Sequence, residues 1–373
     1  MSAVAIIILI FSSLGAADFL IGNKFGIGKE FERGFALFGP MALSMLGMIV
    51  LAPAIGAWLS PVFDGFYNAF GIDPSIIPAS VLANDMGGAS LAQSVCKSEL
   101  IGGYNAFVVS SMMGCVLSFT IPFSLGLVSK EHQNELFLGL LCGIVTIPTG
   151  CVVSGLLCGI GFGALLLNLL PLTILSIIIA VALIFIPKIC IKCFSVFGIF
   201  MKALAIVGLV LSVFTFLTKI EITPYFDSFE NGALICANAC ITLSGALPFM
   251  FIISKLLDKP LNMLGSKIGI NSTSALALLG TIVTNASTFG VMNKMDKKGI
   301  VLNSAFAVSA AFSLGGHLAF TMAFDGSYVL PMIVGKLISG IFAVALAFLM
   351  YKRHTRPAVK PQEAAEACEA AAV

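Results

Sequence analysis

Two polar residues and two glycines interrupt an apolar stretch, Val81–Val95, which reads VLANDMGGASLAQSV. Asn84 and Asp85 stand directly before Met86, Gly87 and Gly88. An ionised carboxylate in apolar surroundings carries a large desolvation cost unless it is paired. Glycine also weakens a helix and permits the chain to reverse with positive φ. The stretch therefore predicts a break in a helix that presents a carboxylate and an amide.

Three further ionisable side chains fall inside apolar segments: Asp18, His317 and Lys336. Ionisable residues at membrane depth are candidates for function. Lys336 either pairs with an aspartate and serves packing alone, or belongs to a binding site. In both cases the carboxylates of Asp18 and Asp85 and the ammonium of Lys336 leave one negative charge, which suits a small cation or a proton. Asp18 lies near the end of its segment, where water can reach it, so its involvement stays open. His317 can relay protons, hydrogen-bond a substrate or pack in the core.

A second polar interruption, Thr284–Thr288, reads TNAST. Its side chains, Asn285 and Thr288 among them, can meet backbone groups freed by a helix break, or a ligand. Two stretches, 75–96 and 272–293, are thus apolar but interrupted.

The composition of the chain indicates the class of structure that holds these residues. The 373 residues are 59% hydrophobic and 10% charged, whereas soluble domains carry about 25% charged residues. Runs of about twenty apolar residues are long enough to cross a bilayer as helices. They do not alternate as barrel strands do. The sequence has no basic patch of the kind that nucleic acid needs, so no nucleic-acid partner is predicted. We predict an all-α polytopic membrane protein with apolar segments at 2–21, 35–59, 101–128, 136–158, 164–187, 195–217, 232–254, 300–324 and 328–350.

An internal repeat relates the two halves of the chain. Short matches recur in constant order at an offset between 198 and 201 residues, which favours duplication over chance. They pair ALSMLG at 42–47 with TLSGAL at 242–247, Pro61 with Pro260, GIDPS at 71–75 with GINST at 269–273, Asn84 with Asn285, AFVVS at 106–110 with AFAVS at 305–309, and FT at 119–120 with FT at 320–321.

The basic residues predict how the segments cross, because cytoplasmic connectors collect Lys and Arg. If all eleven segments cross, the Lys and Arg residues in connectors divide twelve against seven. If instead 75–96 and 272–293 each enter and leave on one side, Lys97 and Lys219 lie on one side of the membrane and the other seventeen basic residues lie on the opposite side. Only Lys336 then remains inside a span. We therefore predict nine crossings plus two re-entrant hairpins, with the N-terminus outside and the C-terminus in the cytoplasm.

Five crossings then separate corresponding segments, so the repeats are inverted, as in secondary transporters whose substrate site lies near the midplane at broken helices. The hairpin tips are Asn84–Gly88 and Thr284–Thr288. The predicted organisation is a first repeat with a linker helix at 1–190, a second repeat at 195–350 and a disordered cytoplasmic tail at 351–373.

Signatures of enzymes are missing from the sequence: GxxxxGK[ST], HExxH and GxSxG do not occur. Cys190 and Cys193 form a CxxC pair without a nearby histidine, which favours apolar packing over a metal or redox site. No cofactor is predicted. Without an ATP-binding domain, transport is passive or coupled to an ion gradient, unless a partner subunit supplies energy.

Six motifs along the chain carry a resemblance to a known family: LANDMGG at 82–88, SMMG at 111–114, GIVTIP at 143–148, AFAVSAAF at 305–312, GHLAFT at 316–321 and PMIVGKLISG at 331–340. They resemble the EutH family of bacterial ethanolamine permeases. The resemblance runs from about Asp18 to Gly340, and it implies uptake of ethanolamine across the inner membrane to supply ethanolamine ammonia-lyase and its microcompartment pathway. Two places depart from the family pattern: Gly316 stands where an acidic residue precedes the histidine, and TNASTFG at 284–290 stands where the family has ANNIPMFG.

Residues and resemblance together predict an inner-membrane transporter of ethanolamine or a close small amine. Asp85 suits the ammonium group, and Lys336 is expected to pair with Asp85 because the two should lie at similar depth. A gated facilitator and a carrier coupled to protons or sodium ions both stay open, as does a homo-oligomer. The remaining candidate site residues are Asn84, Asn285 and Thr288 for the hydroxyl group, together with His317, Lys336 and Asp18.

Three other functions are weighed against this one. The first is a permease for a different small amine or solute. The second is a membrane scaffold or sensor of the same pathway that does not transport. The third, an intramembrane enzyme, is disfavoured because the sequence offers no nucleophile–base pair and no metal-binding cluster.

Overall fold

Long apolar helices make up nearly the whole computed structural model, which describes residues 3–354. In this part of the chain there are no strands, and eight helices are long and apolar enough to cross a membrane. A helix suits that environment because it satisfies its backbone hydrogen bonds within the segment. The prediction of an all-α polytopic membrane protein is confirmed.

The first half of the chain contains α1 (Ala3–Leu20), α2 (Ile27–Trp58), α3 (Ser60–Phe70), α4 (Ile76–Val81), α5 (Gly88–Val95), α6 (Glu99–Leu127), α7 (Lys130–Leu157) and α8 (Phe162–Phe185). The second half contains α9 (Pro187–Thr218), α10 (Phe229–Ile268), α11 (Ser272–Val283), α12 (Asn285–Val291), α13 (Lys297–Ala310), α14 (Gly316–Phe324) and α15 (Val329–His354). Helix α3 is an addition to the predicted elements; it buries Phe63 and exposes Val62 and Phe70.

The first interrupted stretch is a helical hairpin closed at its base. The Asp73 carboxylate, which precedes α4, accepts hydrogen bonds from the backbone N–H groups of Lys97 and Ser98 at 2.9 and 3.0 Å. These two residues follow α5, so the stretch begins and ends at one place. The Lys97 ammonium lies 2.5 Å from the Asp64 carboxylate, and this hydrogen bond raises the pKa of Lys97.

The second interrupted stretch closes in the same way. The Asn271 N–H, at the start of α11, donates to Asp296 Oδ1 at 2.8 Å, just after the end of α12. Between these points α12 folds back on α11. The hydrogen bond that the Thr288 hydroxyl donates to the Ala277 carbonyl at 2.9 Å shows this. In a continuous helix these two residues would lie about 16 Å apart along the axis. Both predicted re-entrant stretches are therefore hairpins.

The predicted crossing at 300–324 is interrupted, and the prediction of one continuous span is wrong. Helix α13 ends at Ala310, and α14 begins only at Gly316. Between them Phe312 has a φ of 61°, a conformation that bulky residues rarely adopt. The N–H groups of Phe312 and Leu314 donate to the carbonyls of Thr281 and Ile282 at 3.2 and 2.9 Å. The end of α11 thus satisfies the backbone of the break.

Other boundaries also differ from the predictions. Helix α9 begins at Pro187, so Lys202 lies well inside a helix and not in a connector, where the charge count places it. Helix α15 continues to His354 and overlaps the start of the predicted tail at 351. The remainder of that tail, 355–373, lies outside the described residues.

The first helix of each half packs on the other half. A Cβ at Gly245 of α10 would lie 2.2 Å from the Ile8 carbonyl oxygen of α1, and a Cβ at Gly47 of α2 would lie 1.9 Å from the Ala205 carbonyl oxygen of α9. Glycine at these crossings lets the backbones approach closely. The packing of α1 on α10 and of α9 on α2 is what two repeats related by a pseudo-two-fold axis would produce. The domain boundaries and the inverted repeat themselves stay predictions.

Candidate functional site

Asp85 lies in a single turn of 3₁₀ helix, Asn84–Met86, at the tip of the first hairpin. Helix α4 ends when Leu82 turns to an extended conformation. Gly87 then takes a φ of 91°, which glycine adopts without the steric cost of a Cβ. The NDMGG sequence therefore breaks the helix and leaves Asp85 between two short helices.

Helix α6 supports this turn from one side. Its Ser110 hydroxyl donates to the Leu82 carbonyl at 2.6 Å, and its Ser118 hydroxyl accepts the Ala83 N–H at 3.1 Å. A Cβ at Gly114 would lie 1.9 Å from the Leu82 carbonyl oxygen, so this approach requires glycine. The freed backbone groups are thus satisfied by protein, as non-helical backbone at membrane depth requires.

Asp85, His317 and Lys336 form a row of ionisable groups. Asp85 Oδ1 lies 3.9 Å from His317 Nε2, and His317 Nδ1 lies 3.1 Å from Lys336 Nζ. Lys336 Nζ also donates to the Ser111 carbonyl at 2.5 Å. An ammonium group can only donate, so it makes Nδ1 of His317 the acceptor. The ring proton of a neutral His317 is then on Nε2, the nitrogen that faces Asp85.

The expected direct pair of Lys336 with Asp85 is wrong. Within residues 3–354, Lys336 has no carboxylate oxygen within 4.0 Å, because the ring of His317 lies between the two charges. The Ser111 carbonyl satisfies a second donor of the ammonium group. The attraction between Lys336 and Asp85 therefore acts through the histidine and not by contact.

The break before α14 places His317 in this row. Gly316 and His317 form the first turn of α14, and the ring of Phe312 lies 5.0 Å from the imidazole ring, centroid to centroid. A Cβ at Gly316 would lie 3.8 Å from Asp85 Oδ2. The carboxylate therefore faces the N-terminal end of α14, where the helix dipole favours negative charge.

The structure distinguishes the three residues predicted to bind a hydroxyl group. Asn285 Nδ2 donates to Thr120 Oγ1 at 3.0 Å. Thr288 Oγ1 lies 2.6 Å from Thr281 Oγ1 and donates within its own hairpin. Asn84 is fully buried, yet neither polar atom of its side chain has a hydrogen-bond partner within residues 3–354, whereas Asn285 lacks a partner only at Oδ1. Of these three residues, Asn84 is the one that adjoins Asp85 and has its whole amide unused.

Asp18 has a different environment. Its two carboxylate oxygens accept hydrogen bonds from the N–H groups of Phe25 and Gly28 at 2.9 and 2.8 Å. These N–H groups belong to the loop and first turn that lead into α2. The carboxylate thereby connects α1 to α2, and the structure does not bring it together with the row of Asp85, His317 and Lys336.

A cavity of about 690 Å³ lies next to the hairpin tip. Met86, the residue after Asp85, lines it together with Ser118 of α6 and residues of α2 and α9. The side chain of Asp85 is 29% exposed, in contrast to 1% for His317. Among the three groups of the row, Asp85 is the one that a small molecule can reach.

Two polar groups, the Ser111 carbonyl and the Thr321 hydroxyl, were not predicted from the sequence as parts of the site. The backbone carbonyl of Ser111 carries no signal in the sequence, because every residue has one. Thr321 is fully buried, and its hydroxyl has no hydrogen-bond partner in the part of the chain that the structure describes. Its spacing of four residues from His317 places both side chains on one face of a helix, and this signal could have identified it. Within the described residues, no group of three His, Cys, Asp or Glu side chains could hold a metal ion.

Comparisons with known proteins place this chain in a family. A profile of the family described as "Ethanolamine utilisation protein, EutH" matches residues 1–350. The probable ethanolamine permease EutH of Listeria monocytogenes is 39% identical over 93% of both chains. The protein YxeR of Bacillus subtilis is 37% identical over 93% of this chain and 94% of its own. The probable ethanolamine permease EutH of Salmonella typhimurium is 35% identical over 94% of this chain and 93% of its own. No solved structure matches. The chain therefore belongs to the EutH family, which is a family of membrane permeases and not of enzymes.

Proposed function

We propose that this protein takes up ethanolamine, or a closely related small amino alcohol, across the bacterial inner membrane, and that Asp85 receives the ammonium group. The observation that carries the proposal is the environment of Asp85. Its carboxylate is on a hairpin tip beside a cavity, is 29% exposed, and has His317 Nε2 at 3.9 Å. Within the described residues, no side chain donates a hydrogen bond to it, since 3.9 Å is too long for one.

The charge of the site differs from the expected surplus of one negative charge. Asp18 lies elsewhere, so the row contains one carboxylate and one ammonium. The Lys336 ammonium is engaged by the Ser111 carbonyl and by His317, so it does not occupy the carboxylate of Asp85. A small organic cation can therefore supply the charge-assisted hydrogen bonds that Asp85 lacks, and Asn84 beside it offers an amide for a hydroxyl group.

The names of the relatives support the same substrate. The proteins of Listeria monocytogenes and Salmonella typhimurium are named probable ethanolamine permeases. Both align with more than nine-tenths of this chain, so most of the membrane part is shared.

Uptake into liposomes tests the proposal. Vesicles that contain the purified protein should take up labelled ethanolamine faster than protein-free vesicles, and unlabelled ethanolamine should compete. Vesicles with Asp85→Asn serve as the matched control for leakage. Uptake equal to that of protein-free vesicles under every gradient would overturn the proposal and favour a scaffold or sensor. Imposed proton or sodium gradients, with and without ionophores, separate a carrier from a facilitator.

We also propose that the N-terminus lies outside and that the connectors at 24–33 and 294–298 face the cytoplasm. The support is the uneven distribution of Lys and Arg among connectors. In a background in which the ten cysteines are replaced, Lys219→Cys should react with an impermeant thiol reagent in intact cells. Lys294→Cys should react only after the cells are permeabilised. The reverse pattern would invert the proposed orientation.

A further inference from the structure

We infer that Asn84 and Thr321 together bind the hydroxyl group of the substrate, and that this pair selects an amino alcohol over an amine without a hydroxyl. The inference rests on the proposed function, because it assigns the second end of the same ligand. It adds Thr321 to the site and gives the pair a role in specificity.

The first support is the unused hydrogen-bonding capacity of both side chains. Asn84 and Thr321 are each 0% exposed. Among the described residues, neither polar atom of the Asn84 amide has a partner, and the Thr321 hydroxyl has none either. Buried polar groups in folded proteins nearly always have a hydrogen-bond partner. Two such residues on elements in contact, the turn Asn84–Met86 and α14, point to a ligand that supplies the missing partners.

The second support is a corresponding pair in the other half of the chain. The offset of 201 residues that relates Asn84 to Asn285 also relates Thr120 to Thr321. Asn285 and Thr120 form a direct hydrogen bond of 3.0 Å between the second hairpin tip and α6. Each tip thus has an asparagine, and a corresponding threonine lies on a helix of the other half; Asn285 and Thr120 are joined, whereas Asn84 and Thr321 are not.

The third support is the position of the pair relative to the proposed ammonium site. Asn84 directly precedes Asp85, and Thr321 follows His317 by one helical turn on the same face of α14. His317 Nε2 faces Asp85 at 3.9 Å. An ammonium group at Asp85 therefore leaves the other end of a short molecule near Asn84 and Thr321. A hydroxyl both donates and accepts, and it can satisfy the amide and the threonine hydroxyl together.

The test compares ethanolamine with ethylamine, which lacks the hydroxyl group. Thr321→Val, which keeps the side-chain shape, should weaken ethanolamine binding about tenfold, the effect of one buried hydrogen bond. Inhibition of uptake by ethylamine should stay unchanged. Thr321→Ser should restore most of the ethanolamine affinity. Asn84→Ala, measured the same way, provides an independent variant.

Thermal stability without substrate distinguishes a binding role from a structural one. Thr321→Val removes a hydroxyl that has no partner, so its melting temperature should equal or exceed that of the wild type. The matched variant Thr120→Val breaks an existing hydrogen bond and should lower the melting temperature. If Thr321→Val and Asn84→Ala weaken ethanolamine and ethylamine equally, or not at all, the inference is wrong. A wild-type protein that binds neither compound would instead overturn the proposed function, and this inference with it.

Discussion

Replacement of Asp85 by asparagine should abolish ethanolamine uptake while the protein remains in the membrane at near-normal levels. The substitution keeps the size of the side chain and removes the carboxylate of the row, which is 29% exposed and directly precedes Met86 in the lining of the neighbouring cavity. A hydrogen bond to a charged group contributes about 1.5–3 kcal/mol, so the affinity for a cation should fall roughly ten- to a hundred-fold. The measurements are labelled uptake into liposomes and equilibrium binding to the purified variant.

A second aspartate provides the control for this variant. Asp64→Asn removes a carboxylate that is 48% exposed and pairs with Lys97 at the surface. Exposed ion pairs contribute about 0–1 kcal/mol, so Asp64→Asn should transport as the wild type does. Wild-type uptake by Asp85→Asn would remove this residue from the substrate site.

The parts of the fold that the sequence predicts are those with a local signal. Asn84, Asp85, Gly87 and Gly88 are all unfavourable inside a helix, and their concentration in five residues predicts the first hairpin tip. The sequence also marks the second tip, because Thr284 and Asn285 interrupt an apolar run. The break before α14 is harder to predict. The stretch 300–324 is mostly apolar, with Ser313, Gly315 and Gly316 near the break, but the strained Phe312 depends on carbonyl groups that another hairpin provides.

The site itself depends on contacts between elements that are distant in sequence. The periodicity of apolar residues carries no information about such contacts. Depth in the membrane could be estimated for Lys336 and Asp85, but the position of His317 between them could not. The same limit applies to Asn84 and Asn285, which are identical in type and related by the repeat. Only the structure shows that Asn285 is bonded to Thr120 and that Asn84 has no such bond. For Asp18, the acceptor role toward two backbone N–H groups is likewise a property of the folded loop.

Replacement of Lys336 by methionine should leave substrate binding intact or tighter and should slow transport. Lys336 is 1% exposed and contributes the positive charge that faces Asp85 through His317. Removing it leaves the negative charge of Asp85 without an internal counter-charge, so a cationic substrate is held more firmly. Release then becomes slower, because the positive charge of Lys336 no longer competes, through His317, with the bound cation for Asp85. Equilibrium binding and initial uptake rates, measured on the same preparation, test both parts.

The relation between Lys336 and Asp85 can be measured with a double-mutant cycle. Asp85→Asn alone leaves a buried ammonium without a counter-charge, and a lone lysine at the centre of a membrane helix costs about 2.5–3.5 kcal/mol on insertion scales. Lys336→Met combined with Asp85→Asn removes both charges, so the double variant should melt at a higher temperature than Asp85→Asn. Residues that interact in one network show coupling energies of about 0.5–3 kcal/mol.

The same cycle can also test whether His317 transmits the interaction between Lys336 and Asp85. If the two charges act through His317, then His317→Gln, which keeps polar atoms at the end of the side chain, should reduce the coupling between Lys336→Met and Asp85→Asn. Lys219→Met, at a side chain that is 73% exposed, is the control for loss of a lysine and should change neither binding nor stability. Additive melting temperatures for Lys336→Met and Asp85→Asn would show that the two residues do not interact. Lys336 would then serve packing through the Ser111 carbonyl alone.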